Sequence, residues 1–320
     1  MLSMPTALRA PLYPYFLALV QFVFGHYDRS VARLIQFFAG VLTGFVSAKA
    51  STKLGGLGPL ALATALALPT LIFFLAELLT ESFAALLVAT FFLFVLERRS
   101  PITIGAVIGL GMLTRFNLAA LAVVYVGYQI SVNKVPLAVR NVSMAALAAV
   151  TIVTQWFLRN FVVFDGKALY SIQSGMNFLE GMVTPDGRIH GADWARLSSR
   201  CGFTIRDIEV NSASRLAFSS EPDLNRAATS AAVAELTRVN LFRLAADKLS
   251  YFWLSFDRAF ETQEMQFGKR SGRLAGVFVY WLFLAMGLWG WRKCKRENPN
   301  EALLFVIYAV VVTVCIFPLS

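Results

Sequence analysis

Residues 101–131 read PITIGAVIGLGMLT, then Arg115-Phe116, then NLAALAVVYVGYQIS. Two uncharged apolar runs are parted by one arginine and flanked on the outside by Arg98-Arg99 and by Lys134. A turn at Arg115 sends the second run back along the first, so the basic flanks fall at one end and Arg115 at the other. A guanidinium left between apolar runs is costly in hydrocarbon unless a partner or a cavity receives it. The pair therefore predicts a helical hairpin whose turn carries a charge with a task.

The rest of the chain has the same texture. Its 320 residues are 57% hydrophobic and 15% charged, with a mean hydropathy of +0.63, whereas soluble domains carry roughly a quarter charged residues. An all-α polytopic membrane protein is expected. A net charge of +10 would raise nucleic acid as the partner of a soluble protein. Here the bases lie between apolar runs, where anionic lipid headgroups and orientation account for them, so membrane lipids and no nucleic acid are predicted. Cys201, Cys294 and Cys315 are too few and too scattered for a disulfide framework or zinc site, and His26 and His190 cannot build a histidine centre. No cofactor is predicted. A divalent ion is left open, since no external acidic cluster has ligand spacing.

At about 20 apolar residues per crossing, fewer where protein shelters the helix, the sequence predicts about eight spans: 31–50, 57–76, 78–96, 101–114, 117–131, 142–163, 274–291 and 301–319. Leu12 to Phe24 is shorter, aromatic and interrupted at its start by Pro11 and Pro14, which suits an interfacial or re-entrant helix. A signal peptide is the competing reading, but no small-residue cleavage site follows Gly25. Lys and Arg beside span ends stay cytoplasmic. Strict alternation puts Lys49, Lys53, Arg98, Arg99, Lys134, Arg140, Arg292, Lys293, Lys295 and Arg296 on that side. The turns at 77–82 and 114–117 and the long segment from 160 to 273 then lie outside. Three regions result: a transmembrane part over 1–163, an extracytoplasmic cap over 164–273, and C-terminal helices over 274–320 of a multi-pass plasma (inner) membrane protein. Within the cap, Pro185-Asp186-Gly187 and Glu221-Pro222-Asp223 read as turns, 224–256 as a helix, and Leu249 to Phe256 as an aromatic belt.

Four polar groups at run edges share the external face. Glu81 follows Thr80 at a helix start, where a capping hydroxyl and the helix dipole would suffice to explain them. A carboxylate near hydrocarbon usually faces a cavity or partner, and Glu77, one turn earlier, could share its site. Arg115 could be snorkelling, but the orientation rule gives it no role on that face, and its planar fork matches phosphate oxygens. In Trp156-Phe157-Leu158-Arg159-Asn160, Arg at a helix C-terminus and Asn as a terminator have structural reasons. Together with Arg115 they would also form a phosphate clamp.

In order, Arg9-Ala-Pro-Leu-Tyr-Pro-Tyr-Phe-Leu-Ala, Leu79-Thr80-Glu81, Gly109-Leu110-Gly111-Met112-Leu113-Thr114-Arg115, Trp156-Phe157-Leu158-Arg159-Asn160 and Ser174-Gly175-Met176-Asn177-Phe178 resemble bacterial polytopic glycosyltransferases of the GT-C class. The nearest group is that of the protein mannosyltransferases and lipid A aminoarabinose transferases. The resemblance implies transfer of a sugar from a polyprenyl-phosphate donor to a lipid, glycan or protein acceptor at the outer face, with inversion at the anomeric carbon. In that class an acid in the first external loop acts as base and arginines hold the leaving phosphate. By position, Arg115, Arg159 and Asn160 would be the phosphate side and Glu81 the catalytic acid of this chain, with Arg9, Tyr13 and Glu77 in support. Phe116 stands where a proline is usual. The class begins with a further helix and a loop bearing the principal acid, and continues beyond the last span seen here. A chain truncated at both ends, its principal acid missing, is expected. A transporter or flippase, and a non-catalytic membrane partner subunit, are the alternatives. Absence of an inverted repeat weighs against the first, and the missing acid favours the second.

Overall fold

A computed structural model describes residues 10–25, 29–55, 58, 80–166, 175, 178–179, 221–237, 239–240, 242–246, 290–292, 294–296 and 299–316. Among these, every regular element is a helix: α1 (Leu12–Phe24), α2 (Arg29–Lys53), α3 (Glu81–Leu96), α4 (Pro101–Thr114), a 3-10 turn (Phe116–Ala119), α5 (Ala120–Val132), α6 (Val135–Val163), α7 (Glu221–Leu236) and α8 (Pro299–Ile316). The chain forms two compact units. One comprises 10–155 with 261–311, and the other 1–9, 156–260 and 312–320.

Local sequence explains most boundaries. α4 starts at Ser100-Pro101, the serine hydroxyl accepting from the Thr103 amide at 3.2 Å and the proline filling a position whose N–H needs no partner. It ends where Arg115 turns extended, at φ −150° and ψ 127°. The 3-10 turn then reverses the chain into α5. α6 runs through Asn160 to Val163 and is closed by Asp165 and Gly166, both left-handed at φ 50° and 73°, with the Gly166 amide donating to the Phe161 carbonyl at 2.8 Å.

Within the larger unit, polar contacts fix helix directions. Gln36 meets Ser82 near the start of α3, and Lys49 meets Glu97 just after its end, so α2 and α3 run parallel. That is what alternation requires with a crossing at 57–76, a segment that apart from Gly58 lies outside the described residues. α4 returns antiparallel to α3 and α5 antiparallel to α4. α6 lies parallel to α4, because Gly105 faces Ala145 and Gly109 faces Ala149. A Cβ at Gly105 would overlap the Ala145 carbonyl, and one at Gly109 would stand 3.0 Å from both the Ala149 carbonyl oxygen and the Ile152 Cβ. These glycines let two backbones touch, a small-xxx-small spacing of the kind also found between membrane helices. Gly127 rests on Ile307 and Phe92 stacks on Phe305 with centroids 4.9 Å apart, which sets α8 antiparallel to α5.

α2 and α6, with 25 and 29 residues, are long and apolar enough to cross a membrane. Helices α3, α4 and α5 have 16, 14 and 13 residues. Many large apolar side chains point outward, including Phe22 at 85% exposure and Leu147 at 70%. A helix facing water shows the opposite pattern.

Four expectations need correction. α6 begins at Val135, so Arg140 is helical and not in a loop; Pro136 sits in the first turn, where it is tolerated. Asn160 does not end that helix, whose stop comes from the left-handed pair that follows. Glu221-Pro222-Asp223 opens α7 and is no turn, again with proline in the first turn. The helix expected over 224–256 is interrupted: α7 ends at Leu236, 242–246 are helical again, and 247–256 lie outside the described residues. Arg292, Lys295 and Arg296 also lie in helical backbone. The expected bounds of α1 and α4 agree with the structure, whereas His26, His190 and the belt at 249–256 lie outside the described residues.

Beyond the end of α3, Glu97 accepts from Arg99 Nε at 2.9 Å and pairs with Lys49 Nζ at 2.8 Å. The Lys49 ammonium, and after it Arg99, hold this carboxyl below its ordinary value of 4.5. A lowered folded value means stabilisation that is complete above the unfolded value and is lost as pH falls through the folded one. Glu97→Gln will remove that part of the acid sensitivity: below pH 4.5 the thermal midpoint of the variant will fall less steeply than that of the parent. Gly105→Leu will drive the two backbones apart at a cost of about 1–3 kcal/mol, read as a lowered thermal midpoint in detergent, while Gly25→Ala, with nothing within 4 Å of its Cβ, will cost only its left-handed backbone, about 1 kcal/mol.

Candidate active site

At the end of the larger unit away from Lys49 and Glu97, the α4–α5 turn meets the first turn of α3. Arg115 Nη1 donates to Glu81 Oε1 at 2.7 Å, joining residues 34 apart in sequence. The pair is half exposed, at 42% for the arginine side chain and 27% for the glutamate. Arg115 is aimed there by the extended backbone that ends α4. Thr80 does not cap α3 as expected. Its hydroxyl donates to the second Glu81 oxygen at 3.3 Å instead, and no side-chain cap bond forms.

A buried polar chain runs beneath this pair. The Tyr13 hydroxyl donates to Gln36 Oε1 at 2.8 Å, and Gln36 Nε2 stands 3.5 Å from the hydroxyl of Ser82, the neighbour of Glu81. Gln36 and Ser82 have no exposed surface and Tyr13 has 5%. The Tyr13 ring packs on Phe16 and edge-on against Phe83, with centroids 5.7 and 6.1 Å away. The resemblance thus singled out Tyr13, and the structure ties it to the α3 start through Gln36. Sequence reasoning passed over Gln36, although a lone amide amid the apolar run 31–50 carries the same signal as an intramembrane polar group. It also passed over Asn117, two residues beyond Arg115, whose buried Oδ1 has no hydrogen-bond partner. An orphaned buried acceptor costs roughly 1–3 kcal/mol and suits a ligand hydroxyl.

In the other unit, Arg159 Nη1 donates to the Asn160 Oδ1 at 2.7 Å. Its guanidinium lies over Trp156 at 4.9 Å and Phe164 at 5.8 Å from the ring centroids. Asn160 is fully buried. Aromatic faces and a buried amide hold the planar cation in place, which favours oriented recognition of an oxyanion. From the motif around Gly175, the Gly175 amide donates to Asn225 Oδ1 at 2.7 Å, fastening it to α7. The structure therefore brings together Glu81 with Arg115 and Arg159 with Asn160, each pair within its own unit. Arg9 and Glu77 lie outside the described residues, so the shared Glu77–Glu81 site does too. Among the described residues no group of three or more metal-ligating side chains forms.

The Glu81–Arg115 pair can exchange partners, because a half-exposed ion pair contributes little to stability. Arg115→Gln will lower the unfolding free energy by no more than about 1 kcal/mol, measured by reversible denaturation in detergent, although it strips Glu81 of its cation. Compared with protein-family models, curated proteins and solved structures, the chain matches none.

Proposed function

We propose that this protein is a membrane-embedded glycosyltransferase that moves a sugar from a polyprenyl-phosphate donor to an acceptor hydroxyl on the side opposite its basic loops. The observation that carries the reading is the Glu81–Arg115 pair, a carboxylate and a guanidinium in contact at the end of an apolar helical bundle where orientation needs no charge. The outward apolar side chains and the order of short motifs resembling the GT-C class support it.

In this reaction the acceptor oxygen forms a bond to the anomeric carbon as the bond from that carbon to the phosphate oxygen breaks. The acceptor proton passes to a carboxylate, and the phosphate leaves with the bonding electrons. Arg115 is shared between two anions. Bound to Glu81 in the empty site, it swings toward the phosphate when the donor arrives, which frees Glu81 to take the proton. A leaving phosphate gains negative charge, so cations placed beforehand stabilise the transition state more than the ground state. Arg159, fixed between Trp156 and Phe164, and Asn160 form a second oxyanion-binding pair within their own unit. Tyr13 and Gln36 position the α3 start, and the Asn117 carbonyl accepts from the incoming sugar or acceptor.

Polyprenyl-phosphate sugar is expected to raise the thermal midpoint of the purified protein, and Arg115→Gln or Arg159→Gln to weaken its apparent affinity by about tenfold each, the loss of one charge-assisted hydrogen bond. Glu81→Gln will leave donor affinity unchanged or improve it, since Arg115 loses its competitor, while turnover falls. Donor binding indifferent to both arginines would end the assignment.

A further inference from the structure

At the basic end of the larger unit, opposite the candidate active site, a cavity of about 300 Å³ opens between the α3–α4 turn, the end of α5 and the start of α8. Its lining carries both signs of charge. Arg98 and Arg99 stand on the turn, and Glu301 stands on α8. Arg99 is partly committed to Glu97 through Nε. Neither Arg98 nor Glu301 makes a side-chain hydrogen bond or ion pair with any described residue. Arg98 holds a left-handed backbone, φ 52°, because it closes α3, its amide donating to the Val95 carbonyl at 3.0 Å and the Arg99 amide to the Phe94 carbonyl at 2.9 Å, which fixes both arginines on the turn.

The same lining includes a hydrogen-bonded amide cluster. Gln129, 7% exposed, accepts through one oxygen from Asn133 Nδ2 at 2.7 Å and Asn141 Nδ2 at 3.0 Å. The three amides are thus held in place in the cavity lining by their mutual bonds. A ligand complementary to this arrangement carries an anion for the guanidiniums, a cation for Glu301 and a short link between them. A phosphate anion alone would leave Glu301 facing like charge, and a simple cation would face two arginines.

We infer that this cavity binds a phosphoethanolamine group, its phosphate on Arg98 and Arg99 and its ammonium on Glu301. The inference does not rest on the sugar-transfer reading. The group could arrive as the headgroup of phosphatidylethanolamine or as free O-phosphoethanolamine.

Binding to the purified full chain in a neutral detergent, measured by native mass spectrometry and by thermal shift, separates these sources. Phosphatidylethanolamine will bind about tenfold more tightly than phosphatidylglycerol, which lacks the ammonium. Arg98→Gln will weaken both lipids. Glu301→Gln will weaken phosphatidylethanolamine and strengthen phosphatidylglycerol, an opposed pair of shifts that misfolding cannot produce. O-phosphoethanolamine that binds with the same dependence on Arg98 and Glu301 identifies a soluble ligand, and failure of the free compound where the lipid succeeds identifies a bilayer headgroup. Equal binding of the two lipids, unaltered by either substitution and without binding of the free compound, overturns the site.

Discussion

The contact between the backbones of α4 and α6 is the constraint on which the architecture of the larger unit turns. Gly105 and Gly109 supply no side chain, and the Ala145 and Ala149 backbone fills the space. In water, apolar area drives helices together at about 25 cal/mol per Å². In an apolar surround that drive is lost, and close dispersion contact takes its place. The outward-facing Phe22 and Leu147 fit the same account, since they need no burial against protein there. Because α4 and α6 run parallel, α5 must return between them in sequence. The polar ends of all three then collect into two layers.

Those layers differ in chemistry. One holds Glu97 clasped by Lys49 and Arg99, together with the amides around Gln129. The other has, among the described residues, the Glu81–Arg115 ion pair, a buried hydroxyl and amide chain, and an acceptor without a donor. The first reads as a structural collar with a recess in it, and the second as a place where charges await a guest. The proposed sugar transfer exploits the second, and the proposed headgroup recess occupies the first.

Much of this was legible before any coordinates. The runs at Leu12–Phe24 and Pro101–Thr114 have proline at their starts, and glycine or a lone arginine at their ends, so their bounds stand in the sequence. The approach of Glu81 to Arg115 followed from counting crossings, since an even number of reversals returns both to one side. Proline misled at Pro222, because a residue that breaks helix interiors is at home in a first turn. Asn160 misled because its side chain is bound to Arg159 and buried, which a terminator would not be. The polar chain from Tyr13 to Ser82 was illegible for a different reason. No periodicity links residues 23 and 46 apart, and only packing of α1 and α3 on α2 brings them into reach.

That same chain bears on how the protein is made. Gln36 leaves the ribosome 46 residues before Ser82, which at about 5–20 residues per second is an interval of roughly 2–9 s. An amide stranded in an apolar phase for that long invites pairing with a neighbouring polypeptide. Tyr13, synthesised 23 residues earlier, is already present to chaperone it, so this amide of the nascent N-terminal helices is quenched as soon as they meet.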